Sequence, residues 1–435
     1  MKLAVVVQRY GAEINGGAEL HARYVAEHLA RHAEVEVVTT CASDYVTWRN
    51  EYPPGADTVH GVAVRRFPVG RERIVRTFGR LSELVFNHPH SIADELAWLE
   101  SEGPTSPALV RYLAEARERF DFFIFFSYRY YHAWHGTRAV PGRALLVPTA
   151  ERDSTIGLAI FRPLFQRVRA LMYNSLEERD LIRAVAAAER VPGVVVGTGS
   201  AVPRDPQPER FRRKFGVTGR FAVYIGRIDA NKGCAELFAF FQRYAKAASD
   251  GLTLVVVGNA ILPVPDHPRI RHLGFLPDED KFDALAAAEV LIMPSYFESL
   301  SMVALEAWAL GKPVLANGRC DVLKGQCLRS NAGLFYEGYG EFVETLQTLE
   351  HTPSLVAALG VNGRSYFDRH YAWPIIERKY LAMFDRLRRE PAGEVLARSS
   401  AWQLPAWRER RRRTVPAASA VVEQIPKGPS RSADA

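Results

Sequence analysis

The sequence predicts an α/β protein with two doubly wound, mostly parallel sheets. Three observations carry that prediction. Short, wholly apolar runs alternate with helical stretches, the order a parallel sheet requires. Runs such as Leu3-Ala4-Val5-Val6-Val7 and Phe221-Ala222-Val223-Tyr224-Ile225 are apolar on both faces, as strands covered by helices on each side are. The chain of 435 residues has room for two cores, and Gly197-Thr198-Gly199-Ser200-Ala201-Val202-Pro203 reads as the linker between them.

In the first half, Leu3 to Val7 is a strand. The loop behind it ends in Gly16-Gly17-Ala18-Glu19 and opens a helix to about Arg31. A Gly-Gly pair here is either a turn or a place where backbone approaches a phosphate, since no Cβ stands in the way. The G-x-G-x-x-G and Walker patterns are absent, so a dinucleotide or nucleoside triphosphate is not indicated. Glu34 to Thr40 and Val62 to Phe67 supply further strands, while Arg71 to Leu99 and Pro107 to Phe120 have helical periodicity. The strand Asp121 to Phe126 leads into a loop crowded with Tyr128, Tyr130, Tyr131, His132, Trp134 and His135, either core or a stacking surface for an acceptor sugar. After the strand Ala144 to Pro148 comes Glu151, either an exposed loop residue or a hydrogen-bonding group. After Ala170 to Asn174, Ser175 and Glu178 have capping-box spacing.

In the second half, the strand Phe221 to Ile225 runs into Gly226-Arg227-Ile228-Asp229-Ala230-Asn231-Lys232-Gly233. Arg227 and Lys232 there flank a loop before a helix from Cys234 to about Ala248. A forked guanidinium and a point-charge ammonium suit a diphosphate, although paired cations on a loop are also commonly just solvated. Leu252 to Val257 and Ile270 to Leu276 are strand and loop, and Asp278 to Ala288 is a helix. The strand Val290 to Met293 stops at Pro294, and a helix is expected from near Ser299 until Gly311 and Pro313. Glu298 stands before that helix, where the free N–H groups of Ser299, Leu300 and Ser301 favour an anion. Glu306 lies about two turns on, roughly 12 Å at helical rise, within a stretch apolar on every side. A buried Glu306 needs a partner or must be neutral.

The run P-S-x-x-E-S-L-S-x-V-A-L-E-A-x-A-x-G-x-P-V, with its E-x7-E pattern, resembles the donor-site signature of family 4 retaining glycosyltransferases. G-R-x-D-x-x-K-G resembles that family's second donor-site motif. The resemblance covers about residues 1 to 390 and is denser in the second half. It implies the GT-B fold, two Rossmann-like domains facing each other across a cleft: residues 1–203 on the acceptor side and 204–373 on the nucleotide-sugar side. Residues 374–390 would form a helix crossing back to the first domain. It also implies roles. Arg227, Lys232 and the amides of Ser299, Leu300 and Ser301 would meet the donor diphosphate, Glu298 the hexose and Glu306 the ribose. Gly16 and Gly17 would face the phosphates, and Phe275 and Leu276 the base. One departure stands out: many members carry a histidine, facing the donor hexose and the acceptor hydroxyl, where this chain has Glu151. Glu151 would then stand in the catalytic set and hydrogen-bond a donor or acceptor hydroxyl.

Composition limits the function classes. With 48% hydrophobic and 24% charged residues, neither a disordered nor a collagen-like chain is expected. Part of the net charge of +7 sits in Arg408 and Arg410 to Arg413, so charge is weak evidence for nucleic acid. Residues 391–435 read as a disordered basic tail, solvated or touching anionic lipid at the inner face of a membrane. Cys41, Cys234, Cys320 and Cys327 show neither disulfide-framework nor zinc spacing. No metal or cofactor is expected: two cations and a helix tip already supply the positive field. Leu3 to Val7 is too short for a signal-peptide core and no stretch has membrane-spanning length, so a cytoplasmic location is expected.

The expected activity is transfer of a hexose from a nucleoside-diphosphate sugar to a hydroxyl of a saccharide or lipid-linked acceptor, with retention. Two rivals remain at this point. A nucleotide-sugar 2-epimerase of the same fold would consume donor without acceptor. A non-catalytic nucleotide-sugar-binding homologue would bind donor and turn nothing over.

Overall fold

In the computed structural model, which describes residues 1–247 and 251–390, the chain builds two sheets. The expected tail, with its arginine cluster, lies outside the described residues. The first sheet is fed in order by β1 (Lys2–Val6), α1 (Gly17–Leu29), β2 (Glu34–Thr40), β3 (Gly55–Val59), β4 (Val62–Phe67), α2 (Val75–Asn87), α3 (Ile92–Glu102), α4 (Pro107–Glu115), β5 (Phe122–Phe126), α5 (Tyr131–Ala139), β6 (Ala144–Val147), α6 (Phe161–Arg167), β7 (Ala170–Tyr173), α7 (Leu176–Ala186) and β8 (Gly193–Val195). Its strand order is β3-β4-β2-β1-β5-β6-β7-β8, parallel except for the β3/β4 hairpin. The order turns round between β1 and β5, the switch point at which open α/β sheets leave a crevice for ligands.

The second sheet follows with α8 (Pro208–Phe215), β9 (Phe221–Ile225), α9 (Cys234–Ala247), β10 (Thr253–Val257), β11 (Ile270–His272), α10 (Asp278–Ala287), β12 (Val290–Met293), α11 (Met302–Ala309), β13 (Val314–Asn317), α12 (Asp321–Ser330) and β14 (Gly333–Tyr336). Its order is β11-β10-β9-β12-β13-β14, all parallel, with the switch point between β9 and β12. Both central strands are buried along their length, Leu3 to Val6 and Phe221 to Tyr224 being almost fully covered, so the apolar runs were sound guides to strands.

Three helices close the fold: α13 (Tyr339–His351), α14 (Pro353–His370) and α15 (Trp373–Arg389). Although α15 follows the second sheet, it packs on the first. Phe384 stacks on Phe122 with centroids 5.4 Å apart, Arg169 donates to the carbonyl of Leu387 at 2.9 Å, and Glu377 bonds His28 at 2.6 Å.

Several boundaries differ from the sequence reading. The stretch Arg71 to Leu99 is two helices, because Pro89 cannot continue a helix and Ser91 with Asp94 caps a new one by a full capping box. Strand β3 has one apolar residue facing inward, Val59, and no alternation to read; it exists because His60 and Gly61 at φ 47° and 80° turn it back on β4. Helix α12 has a glycine and two polar residues at its centre, which hides its period. The helix expected to start near Ser299 begins at Met302, with Ser301 as its N-cap accepting from Ala304 N.

Candidate active site

Residues singled out in the sequence come from the carboxyl ends of strands in both sheets. After β9, Gly233 adopts φ 70° and sits where a Cβ would collide with the carbonyl of Pro294 at the end of β12. Only glycine satisfies both demands. The close approach carries Lys232 onto the neighbouring loop, where its Nζ lies 2.6 Å from Glu298 Oε1. Burial opposes the Lys232 charge, but Glu298 and Glu151 outweigh it and hold its pKa above the usual lysine value.

Asp229 ties the same loop together. Its carboxylate accepts from the backbone N–H of Lys232 at 2.8 Å and pairs with the guanidinium of Arg227. Arg227 is half-exposed and Lys232 less so, so the two cations flank one loop with different exposure. Glu298 precedes α11 by an irregular segment. The N–H groups of Ser299, Leu300 and Ser301 therefore belong to this segment and to the cap, not to a first helical turn as the sequence suggested. For the same reason Glu298 and Glu306 are not separated by two turns of helix.

Glu306, on α11, is 3% exposed. Its Oε1 accepts from Lys281 Nζ at 3.1 Å and Ser200 Oγ at 3.2 Å, while Oε2 is buried without a partner. Burial raises its pKa, and Lys281 works against that rise. Neither partner was singled out in the sequence. Lys281 lies one helical period from Asp278 on α10 and pairs with it as well, a spacing that reads as an ordinary surface pair.

Gly16 is the N-cap of α1, and a Cβ there would meet the carboxylate of Glu19, which Arg9 pairs at 2.6 Å. Gly17 has open space around it. A cavity of about 410 Å³ opens at this loop, lined by Arg9, Glu13, Asn15, Gly16, Ser43 and Glu51. Beyond β11, Phe275 is 57% exposed whereas the Leu276 side chain is buried, leaving only its backbone for a ligand.

Glu151 follows β6 and shares a cleft cavity with Glu298, lined from the first sheet by Ala150 and Glu178 and from the second by Tyr296 and Cys320. Burial first, then the charge of Glu298, raises its pKa to about 7. The expected capping box at Ser175 is half formed. Ser175 Oγ accepts from Glu178 N, but the Glu178 carboxyl turns away to accept from Ala150 N at 2.6 Å and Asn174 N at 2.5 Å. The aromatic loop is mostly core: Tyr128, Tyr130, Tyr131, His132 and Trp134 are buried. His135 pairs with Glu100.

Across the cleft, Arg329 pairs with Glu177, Arg152 with Asp321 at 3.0 Å, and Ser299 approaches Asn174 at 3.5 Å. Gly325 in α12 is where Glu177 comes closest, since a Cβ there would overlap that carboxylate. Among the described residues no helix is long and apolar enough to cross a membrane.

Residues 219–349 match the family described as Glycosyl transferases group 1. The chain is 31% identical over 176 residues to 2-deoxystreptamine glucosyltransferase of Streptomyces kanamyceticus, covering 36% of this chain and 45% of the relative. It is 27% identical over 233 residues to D-inositol 3-phosphate glycosyltransferase of Corynebacterium efficiens, covering 48% and 54%. The chain thus spans about half the length of the curated relatives it matches. Among solved structures, sucrose-phosphate synthase from Thermosynechococcus elongatus superposes with a TM-score of 0.65 at 16% identity, over 89% of this chain and 99% of that one. Anabaena HepE in complex with UDP-glucose does so with 0.64 at 16%, over 89% and 100%. The fold is GT-B.

Proposed function

We propose that this chain, a member of the group 1 glycosyltransferases through residues 219–349, transfers a hexose from a nucleoside-diphosphate sugar to a hydroxyl acceptor with retention. One observation carries the reading. The ammonium of Lys232, from the β9 loop, bonds Glu298, from the β12 loop, across the switch point of the second sheet.

On this reading Arg227 and Lys232, with the N–H groups between Ser299 and the start of α11, stabilise the charge on the departing diphosphate. Fixed dipoles and cations in a site shielded from water are the largest contributions such an enzyme has available. Glu298 accepts from hexose hydroxyls. Glu306, whose buried Oε2 lacks a partner, accepts from the ribose. Phe275 presents a face to the base, with Leu276 contributing its main chain. Gly16 and Gly17 bring backbone to the phosphates from the opposite side, beside the cavity in which an acceptor would sit. Residues 1–203 form the acceptor side, 204–373 the donor side and 374–390 the crossing helix. Two of the matched relatives are named for a glucosyl transfer and for an inositol phosphate acceptor, which supports a polar, polyhydroxylated acceptor.

Titration with UDP, GDP and ADP, read by thermal melting, tests the donor site: a diphosphate that binds only the folded chain raises the melting temperature by mass action. Donor alone separates the rivals. Epimerised nucleotide sugar without acceptor would favour the epimerase, and binding without turnover on any polyol tested would favour the non-catalytic homologue.

A further inference from the structure

The Glu151 carboxyl is half-buried on the first-sheet wall of the cleft cavity, and no hydrogen bond holds it among the described residues. Its backbone is nevertheless fixed. Glu178 grips Ala150 N at 2.6 Å and Asn174 N at 2.5 Å, which pins the loop carrying Glu151 to the strand β7. An unpaired side chain on a pinned backbone is arranged to meet something absent from the chain itself.

What it meets is set by the opposite wall. Glu298, already bonded to Lys232, presents an acceptor to the same cavity. The cations lining the same cavity are already engaged, Arg152 with Asp321 and Arg319 with Glu236. A sugar hydroxyl both donates and accepts, so a ring met only by free carboxylates has its oxygens unserved. A second carboxylate would add like-charge repulsion; a carboxylic acid would supply the missing donor. We propose that Glu151 enters the donor complex as the neutral acid and donates its O–H to a hydroxyl oxygen of the hexose that Glu298 holds. This rests on the donor-site reading above.

The groups facing Glu151 support the neutral form. Burial, Glu298 and Asp153 favour it, Lys232 and Arg129 oppose it, and the outcome is a pKa of about 7. Glu178 and Tyr128 also feel its charge, and both are driven by burial toward their own neutral forms. Cys320, across the cavity, has its thiol pushed up to about 12 and carries no compensating charge. A diphosphate in the cleft adds negative charge and moves Glu151 further toward the acid.

The test compares affinity for UDP, GDP and ADP with that for UDP-glucose, GDP-glucose and ADP-glucose between pH 6 and pH 8, by calorimetry on the full chain. The sugar-to-diphosphate affinity ratio isolates the hexose contact. For the preferred nucleotide, that ratio falls severalfold as pH rises to 8 and the acid form is lost, with its midpoint above 7 because the bound diphosphate favours the acid. In Glu151→Gln, whose amide still donates, the ratio is kept and becomes independent of pH. In Glu151→Ala it is about tenfold lower at pH 6. Diphosphate affinity at pH 6 no weaker than that of wild type in both variants excludes a folding defect. A wild-type ratio that is flat or rises with pH, or a Gln variant matching Ala, overturns the proposal while leaving the donor site intact. No binding of any diphosphate overturns the donor site and this proposal together.

Discussion

The carboxyl of Glu178 on α7 accepts the backbone N–H of Ala150 at 2.6 Å, so a helix of the first sheet sets the position of the residue before Glu151. Glu178 is 1% exposed, and burial pushes its pKa up to about 8 despite three N–H donors. Because the folded state holds this proton more tightly than the unfolded chain, its contribution to stability is complete below about pH 4.5 and lost as pH rises towards 8. Urea unfolding at pH 5 and pH 8 should show wild type losing more stability over that interval than Glu178→Gln. An equal loss in both proteins would contradict it.

Lys232→Ala and Arg227→Ala are each expected to lower turnover by about two to three powers of ten, the usual effect of removing one electrostatic donor. Lys232→Ala should be the more harmful, since it also leaves Glu298 without its partner. Single-turnover rates with saturating donor separate this from a binding effect.

Lys281→Met removes the cation that opposes the burial-driven rise of the Glu306 pKa. Breaking a buried pair at one end costs about 3–5 kcal/mol. Lys281 retains some exposure, so the low end, roughly 3 kcal/mol, is expected. Denaturant unfolding checks the stability loss. Weaker nucleotide affinity should accompany it, with affinity for ribonucleotide and 2′-deoxyribonucleotide drawing together.

Gly325→Ala places a methyl group where the Glu177 carboxylate lies. In isolation alanine favours a helix by about 1 kcal/mol over glycine, so a net stabilisation would mean that α7 and α12 do not press together in solution. The expected result is a loss of about 1–3 kcal/mol, the usual cost of overpacking.

How much of this was legible in the residues varied with the physical origin of each feature. Strands such as Val5 and Val223 were readable because burial on both faces leaves a continuous apolar run. The break at Pro89 is local too, but the apolar period continues across it from α2 into α3 and masks it. By contrast, the period of α12 is interrupted at Gly325, which lies against Glu177, a residue far away in sequence, and no local pattern records that. The start of α11 was misplaced for a similar reason: Ser299 and Ser301 both have cap chemistry, and only the fold selects Ser301. Lys232, Glu298 and Glu306 could be named through the family resemblance of the motifs that hold them, whereas Lys281 and Ser200 enter only through tertiary contact with Glu306.

The packing of Phe384 on Phe122 has a temporal consequence. The lobe that leaves the ribosome first lacks part of its covering until α15 has been made, 194 residues after β8 ends at Val195. At about 5–20 residues per second this interval lasts on the order of 10–40 s. Throughout it, the Phe122 end of β5 lacks the ring that covers it in the finished fold. Supplying residues 373–390 as a separate peptide to a chain ending at 372 should therefore rescue its solubility.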